Sequence, residues 1–178
     1  MEKISKFEAA SRQLNAAITL LFNEVDGIIP YTLAAAASNV YADILDKKVN
    51  AESWREKMRS DNGLSKAQIK EVMNKSWNFL KHGDRDPNGV LEFDEMESLY
   101  LIFMATLECG EIQKTSIQMQ VFQLWFIALK SIDLGDDNQI QQTAKTLFPN
   151  LELLPRAKQL SLGAEMLTTQ VKGFQAET

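Results

Sequence analysis

The only histidine of the chain, His82, stands near the end of a predicted helix and is the first candidate for chemistry. Asn78 lies four residues earlier, so the two side chains share one helix face and could present an amide and an imidazole together. A lone imidazole suits general acid–base catalysis, and Lys81 adds a positive charge beside it. The structural alternative is that Asn78, Lys81 and His82 cap the helix C-terminus, where positive charge is favoured.

An acidic loop, residues 84–95, follows directly and offers oxygen ligands at regular intervals. A hard cation such as calcium takes six to eight oxygens, and a glycine at loop position six, here Gly89, allows the sharp turn. Calcium is therefore a candidate cofactor. The alternative is that the same acidic residues only form turns and begin the next helix. The predicted ligands at positions one, three, five, seven, nine and twelve are Asp84, Asp86, Asn88, Val90, Glu92 and Glu95.

This spacing resembles the calcium loop of the EF-hand family. Leu91, at position eight, has the hydrophobic character of that motif, and predicted helices flank the loop on both sides. Two features depart from the family: no second loop occurs with which this one could pair, and Pro87 stiffens the backbone. The resemblance implies a calcium-binding module as one alternative function.

Four further blocks of sequence, residues 12–22, 32–37, 78–87 and 122–126, carry a second resemblance. They are similar to a group of bacterial all-helical proteins related to HEPN-like bundles. In that group the acidic loop often lacks the glycine and the terminal glutamate, which argues against a calcium site. The resemblance implies an HEPN-like bundle that binds a partner protein or nucleic acid.

The HEPN resemblance also bears on catalysis. Active HEPN nucleases act on a phosphodiester without metal, using an arginine and a histidine four to six residues further along. Before His82 that window holds no arginine, and Lys75 is the nearest basic residue. Tyr31 stands where the group usually has a histidine. The resemblance therefore implies a degenerate or non-enzymatic protein, with a metal-independent RNase that uses His82 as the other alternative.

Composition limits the classes of function. A length of 178 residues fits a single domain, 1–178, and a net charge of −5 weakens any case for a broad nucleic-acid surface. The single cysteine, Cys109, fits a reducing compartment. No apolar signal core follows the N-terminus, and the longest apolar runs, 99–107 and 121–129, are too short to cross a bilayer. These features predict a cytoplasmic protein without membrane contact.

The elements that must position these residues are helices, because apolar residues recur at helical spacing and no segment alternates as a strand does. We predict an all-α, up-and-down bundle of about seven or eight helices. The apolar runs 99–107 and 121–129 exceed what a small bundle buries, which predicts a homodimer. Two helix starts are predicted, at an Asn50 cap and at a Ser65–Gln68 capping box, and a frayed tail is predicted at 173–178. Trp77 and Trp125 are predicted to lie in the core. The residues predicted to face inward are Met96, Leu99, Tyr100, Phe103 and Met104.

Overall fold

In a computed structural model, the described residues are 2–47, 52–84, 86–135 and 137–176, and their regular elements are all helical. This confirms the predicted all-α class. A short 3-10 helix, Leu151–Leu153, precedes the last α-helix. The α-helices are α1 (Lys6–Phe22), α2 (Ile28–Leu45), α3 (Trp54–Asp61), α4 (Lys66–Met73), α5 (Lys75–Lys81), α6 (Glu95–Ile112), α7 (Ile117–Leu129), α8 (Gln139–Leu147) and α9 (Arg156–Ala176).

Several helix ends were predicted from capping chemistry. The capping box is confirmed: the Gln68 amide donates to the Ser65 hydroxyl, and the Ser65 amide donates to the Gln68 side chain. Apolar spacing from Ile69 to Leu80 predicts one helix after Ser65, but Asn74 leaves helical geometry at φ −110° and ψ 14° and separates α4 from α5. The predicted cap Asn50 lies outside the described residues, and Ser53 caps α3 instead.

The core is centred on α7, the most apolar helix. Phe122, Trp125 and Phe126 are fully buried there, and they pack against residues from α1, α6 and α9. The core position of Trp125 is thus confirmed, whereas Trp77 is only half-buried. Because α7 is covered by its own chain, it no longer supplies the spare apolar surface that motivated a homodimer. The homodimer stays a prediction.

Helix α2 joins α1 and α6 in the core through a run of small residues, Ala34–Ala37. Among the described residues it is the one helix long and apolar enough to cross a membrane, and half of its apolar window is buried inside the fold. The predicted absence of membrane contact and the cytoplasmic location stay predictions.

Helices α3, α4 and α5 form a peripheral arm, residues 54–81, beside α6. No residue of α3 is buried, and α5 buries only Ser76. On the other side of the core, α9 continues through Ala176, further than the predicted frayed tail allows. One glycine costs a helix only about 1 kcal/mol, so Gly173 does not end it; residues 177–178 lie outside the described part of the chain.

Candidate functional site

His82 ends α5 and contacts residues close to it in sequence. Its amide donates to the Asn78 carbonyl at 3.1 Å, and its Nδ1 lies 4.0 Å from the Asp84 carboxylate. The Lys81 ammonium sits 5.9 Å from the centre of the Trp77 ring. His82 is the C-cap residue of α5. A capping role for the side chains of Asn78 and Lys81 stays a prediction. A nuclease role for His82, Asn78 and Lys81 stays a prediction, and Arg85 lies outside the described residues.

The acidic loop is open, and its side chains point largely into solvent. Val90 is 91% exposed and the Asp84 side chain 84% exposed. Gly89 has no left-handed backbone here; a Cβ at that position would lie 2.6 Å from Asp86 Oδ2 and 3.2 Å from the Phe79 ring. Across the described residues, no three His, Cys, Asp or Glu side chains are gathered to hold a metal.

The predicted last ligand, Glu95, is occupied elsewhere. Its carboxylate accepts from Arg156 at 2.7 Å, at the first turn of α9. The Arg156 guanidinium in turn lies 5.5 Å from the centre of the Trp125 ring. Asp94 is likewise engaged, because it caps α6 by accepting from the Met96 amide. The loop therefore carries acidic residues that hold helix ends together.

The two interpretations of the loop, a calcium site and a set of contacts at helix ends, predict different results when calcium is added. A bidentate Glu95 would have to leave Arg156, so we expect no measurable heat when millimolar calcium is titrated into the protein by calorimetry. Glu95→Gln should lower the free energy of unfolding by less than about 1 kcal/mol, because the ion pair is exposed. A calcium-dependent heat that Glu95→Gln abolishes would contradict this expectation. Glu152→Gln, at an exposed glutamate of the 3-10 helix, is the matched control.

A groove with a volume of about 400 Å³ runs along α6. Four of the seven methionines of the chain line it: Met58 from α3, Met73 at the end of α4, and Met96 and Met104 from α6. We call it the methionine groove. Asp94 and Met104 mark its two ends, and ten residues of helix between them span about 15 Å. The peripheral arm forms the opposite wall.

A polar cluster closes one end of the methionine groove. Tyr31 is 3% exposed, and its hydroxyl interacts with the Ser76 hydroxyl and the Trp77 amide. Ser76 donates to the Glu97 carboxylate at 2.7 Å. Burial raises the pKa of the Tyr31 hydroxyl, and the Glu97 charge adds to that effect. Lys75 lines the groove beside this cluster. The cluster therefore supplies fixed hydrogen-bonding groups next to an apolar wall.

Only part of the methionine groove was predictable from the sequence. Met96 and Met104 were predicted to face the core, and both are only half-buried. Tyr100 was also predicted to face inward, but it is 48% exposed, with its ring edge-on to Phe126 at 5.4 Å. Helical periodicity identifies one apolar face of α6, but it does not show which part of that face the arm leaves open. The number of methionines was the sequence feature that could have indicated this groove.

A buried carboxyl lies on α6 one turn beyond Met104. Glu108, on α6, is 1% exposed and accepts from the Ser38 hydroxyl at 3.2 Å and from the backbone amide of Trp54. Burial raises the pKa of Glu108 to about 7, despite opposing effects of those two donors and of Arg55. Nothing in the sequence pattern singled out this glutamate.

Comparison with known proteins adds no relative. No family model, no curated protein and no solved structure matches this chain.

Proposed function

We propose that this protein is a non-enzymatic, HEPN-like binding module that holds an amphipathic helix of a partner protein in the methionine groove. The observation that carries the proposal is the placement of Met58, Met73, Met96 and Met104 around one open groove. Methionine side chains are unbranched and polarizable, so a surface built from them adapts to varied apolar partners. Core filling alone does not require four of them at one cavity that opens to solvent.

The dimensions of the groove fit a helix better than a small molecule. A helix laid along about 15 Å of α6 can insert side chains at i, i+4 and i+7, which is the usual pattern of recognition in a groove. A volume of about 400 Å³ holds a few such anchoring side chains but not a helix backbone. The partner backbone would therefore lie above the groove, with its apolar side chains between α6 and the arm.

Charge selects the kind of partner. Two acidic residues, Asp94 and Glu97, lie at the polar end of the groove, and Lys75 is the basic residue among those that line it. The chain as a whole carries a net charge of −5. An acidic groove favours a partner helix with lysine or arginine beside its apolar face. The same charge disfavours a nucleic-acid backbone, so we propose a protein partner over RNA.

The test uses a defined probe, a fluorescent 14-residue helical peptide with leucines at i, i+4 and i+7 and lysines flanking them. Fluorescence anisotropy should show saturable binding to the wild-type protein. Met58→Gln with Met104→Gln should weaken it at least tenfold, about 1.4 kcal/mol, because two polar amides replace the apolar wall.

The matched control is Met166→Gln on α9, away from the groove, which should leave peptide affinity unchanged. A second peptide with its leucines replaced by serines should not bind. Equal binding by the groove variant and the wild type would overturn the proposal, as would the absence of binding at millimolar protein.

A further inference from the structure

Another cavity, with a volume of about 240 Å³, lies between the end of α7, helix α8 and the 3-10 helix. We call it the α7–α8 cavity. Its floor is apolar, because Ile127, Ala144 and Phe148 line it and are buried in the core. Its opening is polar, and the exposed polar side chains that line it are Ser131, Lys145, Asn150 and Glu152. An apolar cavity with a few polar groups at one side is the usual composition of a small-ligand site.

The walls of the α7–α8 cavity are held in place by hydrogen bonds inside the fold. The buried Gln141 side chain accepts from the Leu134 amide, which ties the loop after α7 to helix α8. On the other side, the Gln159 side chain donates to the Leu151 carbonyl at 3.1 Å and to the Leu154 carbonyl at 2.9 Å. These two bonds fix the 3-10 helix. The cavity is therefore preformed, so a ligand does not have to order it on binding.

The polar groups at the opening have no partner within the part of the chain that the structure describes. Neither Lys145 nor Glu152 forms an ion pair there, and the side chains of Ser131 and Asn150 make no hydrogen bond. Ser131 also has a left-handed backbone, with a φ of 47°, just after the C-cap of α7. Helices often have glycine at this position. A serine there keeps a hydroxyl at the opening that glycine would not supply.

We propose that the α7–α8 cavity binds a free α-amino acid with an apolar side chain of about the size of leucine. Lys145 supplies a positive charge for the carboxylate of the ligand, and Glu152 supplies a negative charge for its ammonium group. The apolar floor takes the side chain. The volume is below the roughly 300 to 1,000 Å³ of pockets that hold drug-sized ligands, which disfavours a nucleotide or a large cofactor.

The two opposite charges distinguish an amino acid from other small apolar ligands. A monocarboxylate would pair with Lys145 but would bring its own negative charge close to Glu152, and an apolar amine would meet the reverse problem. Because Lys145 and Glu152 do not pair with each other, both charges are available to a ligand that carries both. The α7–α8 cavity shares no lining residue with the methionine groove, so this proposal does not depend on the proposed function.

Isothermal calorimetry of the full-length protein with L-leucine tests the site. We expect saturable binding of a single leucine with a Kd of about 1 mM or lower. Isocaproate keeps the side chain and the carboxylate but lacks the ammonium group, and isoamylamine lacks the carboxylate. Each should bind at least about tenfold more weakly than leucine, because one ion pair is lost and one like charge is left nearby. L-glutamate should not bind, because its charged side chain would have to enter the apolar floor.

Single substitutions locate the binding. Lys145→Gln and Glu152→Gln should each weaken leucine binding by about tenfold or more, since each removes one charged partner. The matched control is Lys114→Gln, at an exposed lysine before the opposite end of α7, which should leave leucine affinity unchanged. Leucine that does not bind at about 10 mM would overturn the site, as would equal affinity in Lys145→Gln and the wild type, or isocaproate that binds as tightly as leucine.

Discussion

Replacement of Trp125 by alanine is expected to lower the free energy of unfolding by about 3 to 5 kcal/mol, as for other fully buried large aromatic residues. The indole is 0% exposed and packs edge-on against Phe22 at 5.2 Å. Its Nε1 also donates to the Gln159 carbonyl at 2.8 Å, inside the fold. Alanine would leave a cavity and would also remove this buried hydrogen bond, which adds to the cost.

Chemical denaturation of Trp125→Ala and Trp125→Phe separates these two effects. Phenylalanine keeps most of the volume but not the donor, so it should cost about 1 to 3 kcal/mol. Trp77→Ala is the matched control, because Trp77 is half-buried on the peripheral arm, where the Lys81 ammonium lies over its ring. A loss for Trp77→Ala as large as that for Trp125→Ala would contradict the central position assigned to α7.

Gly163→Ala should destabilise the protein by about 2 kcal/mol, although alanine is the better helix former. Helix α9 passes so close to α1 at this point that an added Cβ would lie 2.6 Å from Cδ1 and 2.7 Å from Cζ of the Phe22 ring. Phe22 is itself 3% exposed and packed between Phe122 and Trp125, so its ring has no space into which to move.

The opposite sign is expected for Gly110→Ala, in the last part of α6. A Cβ there meets only the Thr115 methyl group at an ordinary 3.7 Å. Helix propensity alone should then stabilise the protein by about 1 kcal/mol. Thermal denaturation of the two variants side by side provides the measurement, and equal shifts in the same direction would show that the contact between Gly163 and Phe22 is not a constraint.

The sequence predicted the helical class and much of the core because these depend on short-range patterns. The apolar runs 99–107 and 121–129 fall within α6 and α7, and the Ser65–Gln68 capping box marked the start of α4. Local chemistry also identified the acidic stretch, but not its role. Arg156 reaches Glu95 from 61 residues away, and no local pattern shows that such a partner is present.

The candidate groove was not predictable for a related reason. Its walls come from α3, α4, α5 and α6, and its openness depends on how far the arm stands from the core. Periodicity placed Met104 on the apolar face of α6, which is correct. It does not show whether another part of the chain covers that residue. Glu108 was missed because a single acid in an apolar helix is equally compatible with an exposed position. Its contact with the Trp54 amide of α3 joins residues far apart in the sequence, so no local pattern reveals it.

The core is densely packed and the peripheral arm is not, and this difference determines where the chain can accept substitutions. A substitution in the core, such as one at Trp125, costs a large part of the stability that a domain of this size possesses. Substitutions at exposed positions of α3 cost little, since that helix buries none of its residues. Changes on α3 can therefore accumulate at little cost to the stability of the fold, whereas changes at the buried positions of α7 cannot.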